Sequence, residues 1–198
     1  MKTSFERFAG WCAVLAGLSG FLYSVAFIVL RSNLLSALFL MLGGLFSAAA
    51  LTALYQRLRG TESGFALLAL LLSLSAVLGS AIHGGYDLSN TLHPPASLPT
   101  DLPNPIDPRG FLTFGVAGLG LFVFSWLMTP EMRFPNGLAY LGYLSAILMV
   151  LLYLGRLIIL QATSLAIVVP ALLEGFIVNP LWYLWLGSSL MRDQSSSK

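Results

Sequence analysis

Four side chains stand out as able to do chemistry: His83, Asp87, Arg156 and Glu174. Each lies within or at the end of a long apolar stretch. An ionisable group is costly to place in hydrocarbon, so one found there marks a functional site by default. His83 and Asp87 are four residues apart. On a helix that spacing brings the carboxylate to the imidazole, where it can orient the ring and raise its basicity. Gly84-Gly85 between them is expected to loosen or end the helix, because glycine has the largest backbone entropy to lose. Arg156 and Glu174 occupy consecutive stretches, and an arginine side chain bridges roughly one helical turn. Two arrangements follow from that reach. One is a structural ion pair between adjacent helices. The other is a substrate- or proton-binding carboxylate with a cation nearby. Together the four residues define a candidate polar pocket.

Other chemistries find less support in the residue types. A metal could be assembled from His83, Asp87, His93 and Glu174, but no His-Glu-x-x-His spacing is present. Haem needs axial ligands on the helices, and only one histidine lies on a long apolar stretch. No serine or cysteine sits in a nucleophile motif. Cys12 is the single cysteine and cannot form an internal disulfide. No catalytic, cofactor or metal residue is therefore assigned. The net charge of +2 comes without a basic cluster, so nucleic acid is not an expected partner.

The elements that must position these groups follow from composition. Charged residues are 9% of 198, hydrophobic residues 57%, and the mean hydropathy is +0.85. A soluble surface needs roughly a quarter of its residues charged, so most of this surface must face lipid. A helix crossing the hydrocarbon core needs about 20 mostly apolar residues. Six stretches qualify, at about 9–30, 34–55, 64–86, 110–129, 136–160 and 165–190. Backbone groups in lipid must pair internally, so each is expected to be a helix. The runs are continuous rather than alternating, which disfavours a transmembrane β-barrel. The expected fold is all-α: one six-helix transmembrane domain covering 1–198. The first stretch is too long for a signal h-region and is read as a retained span.

The basic residues separate by side. Lys2, Arg7, Arg57, Arg59, Arg133, Arg192 and Lys198 fall at one set of ends, and Arg31, Arg109 and Arg156 at the other. The positive-inside rule then puts both termini in the cytoplasm. Trp11, Trp126, Trp182 and Trp185 all fall toward that same side, where tryptophan is expected at headgroup level. In this topology His83, Asp87, Arg156 and Glu174 all occupy the outer half, with Glu174 about 13 Å below the outer surface at about 1.5 Å per residue.

Four of the five connections are short, so sequential helices are expected to be antiparallel neighbours. The exception runs from about 87 to 109 and holds six of the ten prolines: Pro94, Pro95, Pro99, Pro103, Pro105 and Pro108. It reads as extended, semi-rigid coil, either a tether or a lid over the outer face. Asp107 and Pro108 can start the next helix. Small residues form stripes that let helices approach. These are Gly10, Ala13, Gly17, Gly20, Ser24 in the first stretch, and Ala69, Ser73, Ala76, Ser80, leading to His83 and Asp87, in the third. Gly43, Gly44, Gly115 and Gly118 suggest further close crossings. Pro170 and Asn179-Pro180 interrupt the sixth stretch, and Pro180 is expected to kink it.

The run His83-Gly84-Gly85-Tyr86-Asp87, with Leu102-Pro103-Asn104-Pro105, Asp107-Pro108-Arg109-Gly110 and Asn179-Pro180-Leu181-Trp182-Tyr183, resembles a group of six-span bacterial membrane proteins of about this length. The resemblance implies a topology over the whole chain and no chemistry. The functional expectation is small-molecule or ion binding or transport through an outward-facing polar pocket. The chain would be multi-pass in the cytoplasmic (bacterial inner) membrane, with the bilayer itself and a possible homodimer or membrane-complex partner as its contacts. The alternatives are an accessory subunit of a membrane complex and an intramembrane metalloenzyme.

Overall fold

The computed structural model describes residues 3–94, 110–131, 134–159, 161 and 163–192. They form six long helices and, among the described residues, no strand. The helices are α1 (Ser4–Val29), α2 (Asn33–Leu58), α3 (Ser63–Leu92), α4 (Phe111–Met128), α5 (Asn136–Ile159) and α6 (Leu165–Met191), each long and apolar enough to cross a membrane. The starts obey local chemistry. Thr3 and Glu6 form a reciprocal capping box at α1: the Glu6 N–H donates to Thr3 Oγ1 and the Thr3 N–H to Glu6 Oε2, both at 3.2 Å. Ser32 Oγ accepts from the Leu35 N–H at the start of α2. Each satisfies a helix-start donor that has no intrahelical partner.

The third helix departs from expectation. It does not end near 86; it continues through Gly84-Gly85 to Leu92. The glycines serve packing, not termination. A Cβ on Gly84 would collide with the backbone nitrogen of Met41 and stand 2.6 Å from the Ala37 carbonyl oxygen. So residues 87–92 of the expected loop are helical, while Pro95 to Arg109, including Asp107 and Pro108, lie outside the described residues. Lys2, Arg133 and Lys198 lie outside them too.

Each helix packs on its chain neighbours, and α6 returns to pack on α1, closing a ring. The α1 stripe makes that closure. Gly10 faces Gly187, Gly17 faces the Pro180 carbonyl oxygen, Gly20 faces the Asn179 side chain, and Ser24 faces Gly175. The steps run in opposite directions along the two helices, so α1 and α6 are antiparallel. Gly44 lets α2 approach the Val77 carbonyl oxygen of α3 closely enough that a Cβ would not fit, and Gly118 does the same between α4 and the Ala146 carbonyl oxygen of α5.

The two ends of the ring differ. The end carrying both termini is solid: Leu54, Leu58, Phe124, Met128, Trp182 and Leu186 are fully buried in one core cluster. Trp182 therefore corrects the expectation of an interface anchor, because its ring is in that core and not at the perimeter. The other three tryptophans are exposed. Arg57 is also buried here. Its Nε donates to Glu6 Oε1 at 2.9 Å, and its terminal nitrogens donate to the Ser189 and Leu190 carbonyl oxygens at 3.0 and 3.1 Å. Those carbonyls are in the last turn of α6, which lacks intrahelical donors and carries the negative end of the helix dipole. The guanidinium also lies over the Phe134 ring. One cation thus ties α1, α2, α6 and the segment entering α5. Thr61 Oγ1 donates to Glu131 at 2.9 Å and links the α2–α3 turn to the end of α4.

Two outcomes are expected from this packing. Arg57→Ala leaves Glu6 and two carbonyls without their donor and should lower stability by roughly 3 kcal/mol, read as a large drop in thermal midpoint in detergent. Arg59→Ala, at an exposed position, should change it by less than about 0.5 kcal/mol. Gly44→Ala should destabilise clearly, whereas Gly60→Ala, with nothing near its Cβ, should stay within about 0.5 kcal/mol.

Candidate functional site

The end of the ring opposite the termini is hollow. A cavity of about 410 Å³ lies there, and all six helices contribute to its wall. The wall is built largely of small and aliphatic residues, among them Ala16, Gly20, Gly43, Gly44, Ala76 and Ala117. Tyr23, Phe27, Phe39, Phe114 and Tyr183 line it as well, and the space between the helices is left unfilled. A cavity this large falls in the range of small-molecule sites. Its lining reaches Ile28 and Arg156, both exposed.

Three helices leave α geometry where they border it. Val25–Val29 of α1, Phe111–Val116 of α4 and Glu174–Val178 of α6 are π-helical. Each contributes lining: Phe27 and Ile28, Thr113 and Phe114, Glu174 and Gly175. A π turn inserts a residue into the helical register, and such turns concentrate at functional sites. In α6 the sequence supplies a cause. Pro180 has no N–H to donate, so the α ladder cannot run through it. Just before it the register shifts, and the Asn179 N–H bonds to the Glu174 carbonyl oxygen five residues back. The interruption expected as a kink at Pro180 thus takes the form of a π turn that begins at Glu174.

Glu174 is the buried carboxyl of the wall, 5% exposed. Ser145 of α5, itself fully buried, donates to Glu174 Oε1 at 2.6 Å. Glu174 Oε2 is buried and makes no hydrogen bond of good geometry among the described residues, with the Asn179 side chain the nearest further polar group acting on the carboxyl. A carboxylate in such a place is uncompensated unless a proton or a cationic group accompanies it. Arg156 does not supply the charge directly. It borders the same cavity but forms no ion pair with Glu174 among the described residues. Gly155 packs against Ile167, so Arg156 is level with the start of α6, and seven residues, or about 10 Å of helical rise, separate that level from Glu174. The structural ion pair admitted by the sequence is not formed among the described residues.

The four expected residues divide into two pairs. Arg156 and Glu174 share the cavity. His83 and Asp87 do not line it; His83 Nε2 stands 3.1 Å from Asp87 Oδ2 on α3, at the same end of the ring. Tyr23 lines the cavity within electrostatic reach of both Arg156 and Asp87. Sequence reasoning passed over Tyr23 and Ser145, which carry no charge and fall in no motif, and read Asn179 only as part of a helix interruption. A polar residue spaced about one helical turn from a buried acid, such as Asn179 from Glu174, was the available signal. His93 caps the end of α3. Among the described residues no three of the His, Cys, Asp and Glu side chains stand close enough to hold a metal ion, so His83, Asp87, His93 and Glu174 are not gathered as a ligand set.

No family model, no curated protein and no solved structure matches this chain. The site is therefore read from its own geometry.

The hollow and solid halves should respond differently to a small thiol reagent. In a Cys12→Ala background, Thr113→Cys is expected to react with aminoethyl methanethiosulfonate. Leu127→Cys, in the solid half and 1% exposed, is expected to stay unmodified. Equal rates at the two positions would contradict a cavity open to small molecules.

Proposed function

We propose that the protein binds or transports a small molecule within the membrane, in the cavity between its six helices. The ligand carries a cationic or hydrogen-bond-donating group that meets Glu174 and an apolar body that meets the aliphatic wall. In this reading the protein is a multi-pass protein of a bacterial cytoplasmic membrane. Both termini are cytoplasmic, by the distribution of its basic residues, and the cavity faces outward. The observation that carries the reading is the carboxyl of Glu174. It is held by Ser145 at one oxygen and approached by the Asn179 side chain, with no hydrogen bond of good geometry at Oε2, on the wall of a 410 Å³ cavity. A purely structural acid would be expected to have both oxygens satisfied by the protein.

The chemistry is recognition rather than bond-breaking. The apolar wall excludes water and lowers the local dielectric, so one opposite charge at Glu174 counts for more than it would at a surface. The Ser145 hydroxyl orients the carboxyl, leaving its second oxygen for the ligand. The π turn at Glu174 sets the direction of the side chain.

Phenethylammonium is a suitable probe, with one cationic head and one apolar body. Calorimetric titration into protein in lipid nanodiscs, corrected with empty discs, is expected to give saturable binding. Glu174→Gln keeps the shape and the Ser145 contact but cannot carry negative charge. It should weaken binding at least about tenfold, which is about 1.4 kcal/mol. Equal affinity in the two proteins, or no binding beyond the empty discs, would overturn the reading.

A further inference from the structure

An acid and a base border one cavity without pairing with each other. Glu174 is buried in the wall, and Arg156 is exposed where the lining reaches the surface. About 10 Å of helical rise separates their levels. The wall between is apolar, formed by Met149 and Leu152 of α5 and by Ile167 and Ala171 of α6. A ligand with an ammonium group alone would answer the acid and leave the guanidinium unused. A ligand with an anionic group alone would place that anion at the rim and leave the acid uncompensated. An α-amino acid or an ethanolamine phosphate headgroup has both charges, but only a few bonds apart, too close together to reach both residues.

We infer that the ligand class is a free zwitterion with its charges at opposite ends of an apolar stem, the ammonium at Glu174 and a carboxylate or phosphate at Arg156. The inference rests on the cavity being a binding site and adds Arg156 as the second anchor. Arginine suits that end. Its planar fork offers paired donors to an oxyanion, and from an exposed position it can meet the anion before the rest of the ligand enters. The order of the charges matches the burial of the two residues, with the acid deep and the base at the rim, so the ligand would enter amine first.

The test is a chain-length series in nanodiscs: ω-aminoalkanoates from aminopropanoate to aminooctanoate, each beside the amino alcohol of equal length. The alcohols carry the same ammonium and stem without the anion. Affinity for the alcohols rises only with apolar stem. The acids are expected to pull ahead as the stem lengthens, by at least about tenfold at aminooctanoate. Arg156→Gln should bring aminooctanoate down to the level of aminooctanol, and Arg156→Lys should restore part of the difference. Acids and alcohols binding equally at every length, or an acid preference that survives in Arg156→Gln, would overturn the zwitterion class. If phenethylammonium still depended on Glu174 in that case, the cavity reading would stand alone. If no amine of any kind bound, both readings would fall together.

Discussion

Everything in this bundle depends on α6 closing against α1. The outward faces of the six helices are apolar, so pairing them in a bilayer gains little from hydrophobic burial, because lipid covers such faces as well as protein does. What holds the ring shut is contact between backbones, and only glycine permits it. A Cβ on Gly187 would stand 2.7 Å from the Gly10 carbonyl oxygen, too close to fit, and one on Gly17 would press on the Pro180 carbonyl oxygen at 3.0 Å. Arg57 then secures the solid end by giving the last α6 carbonyls the donors their own helix cannot supply. Without that closure α6 would not stand where Ser145 reaches Glu174, and the cavity would have no sixth wall.

The same kind of residue has opposite effects at the two ends. In the solid half, small residues alternate with Phe124, Trp182, Leu54 and Leu58, and the large side chains fill the space that close approach leaves. In the hollow half, small residues from α1, α2, α3 and α4 share the wall with aromatic ones such as Phe39 and Phe114, and the space between them stays unfilled. The three π turns fall on this half alone. Helices that are regular where they pack tightly lose their register where they surround empty volume, which fits the association of such turns with sites rather than with cores.

Polar groups follow the same division. At the solid end the charged pair is direct, with Arg57 and Glu6 at 2.9 Å. At the hollow end Arg156 and Glu174 border one volume without touching, and the serine contact to Glu174 satisfies half of a carboxyl. A structural pair and a candidate site thus sit in one bundle, distinguished by whether the opposite charges meet.

Six long apolar helices were legible from hydropathy alone, because length and apolar content are properties of each segment by itself, whereas the start of α1 at Ser4 and the end of α3 at Leu92 were not. The α1 stripe was legible as a packing face for the same reason, its steps of three and four being local. Glu174 and Arg156 could be named as a possible site because charge in an apolar run is conspicuous wherever the run ends up. What no segment contains is its relation to another. Only the tertiary structure decided that Gly84 serves a crossing and not a helix end, since the reason lies in the backbone of Met41. It alone placed Trp182 in a core, separated His83 and Asp87 from the cavity, and set Arg156 and Glu174 on one wall without pairing them. Periodicity is set within a helix, whereas register, crossing distance and empty volume arise between helices.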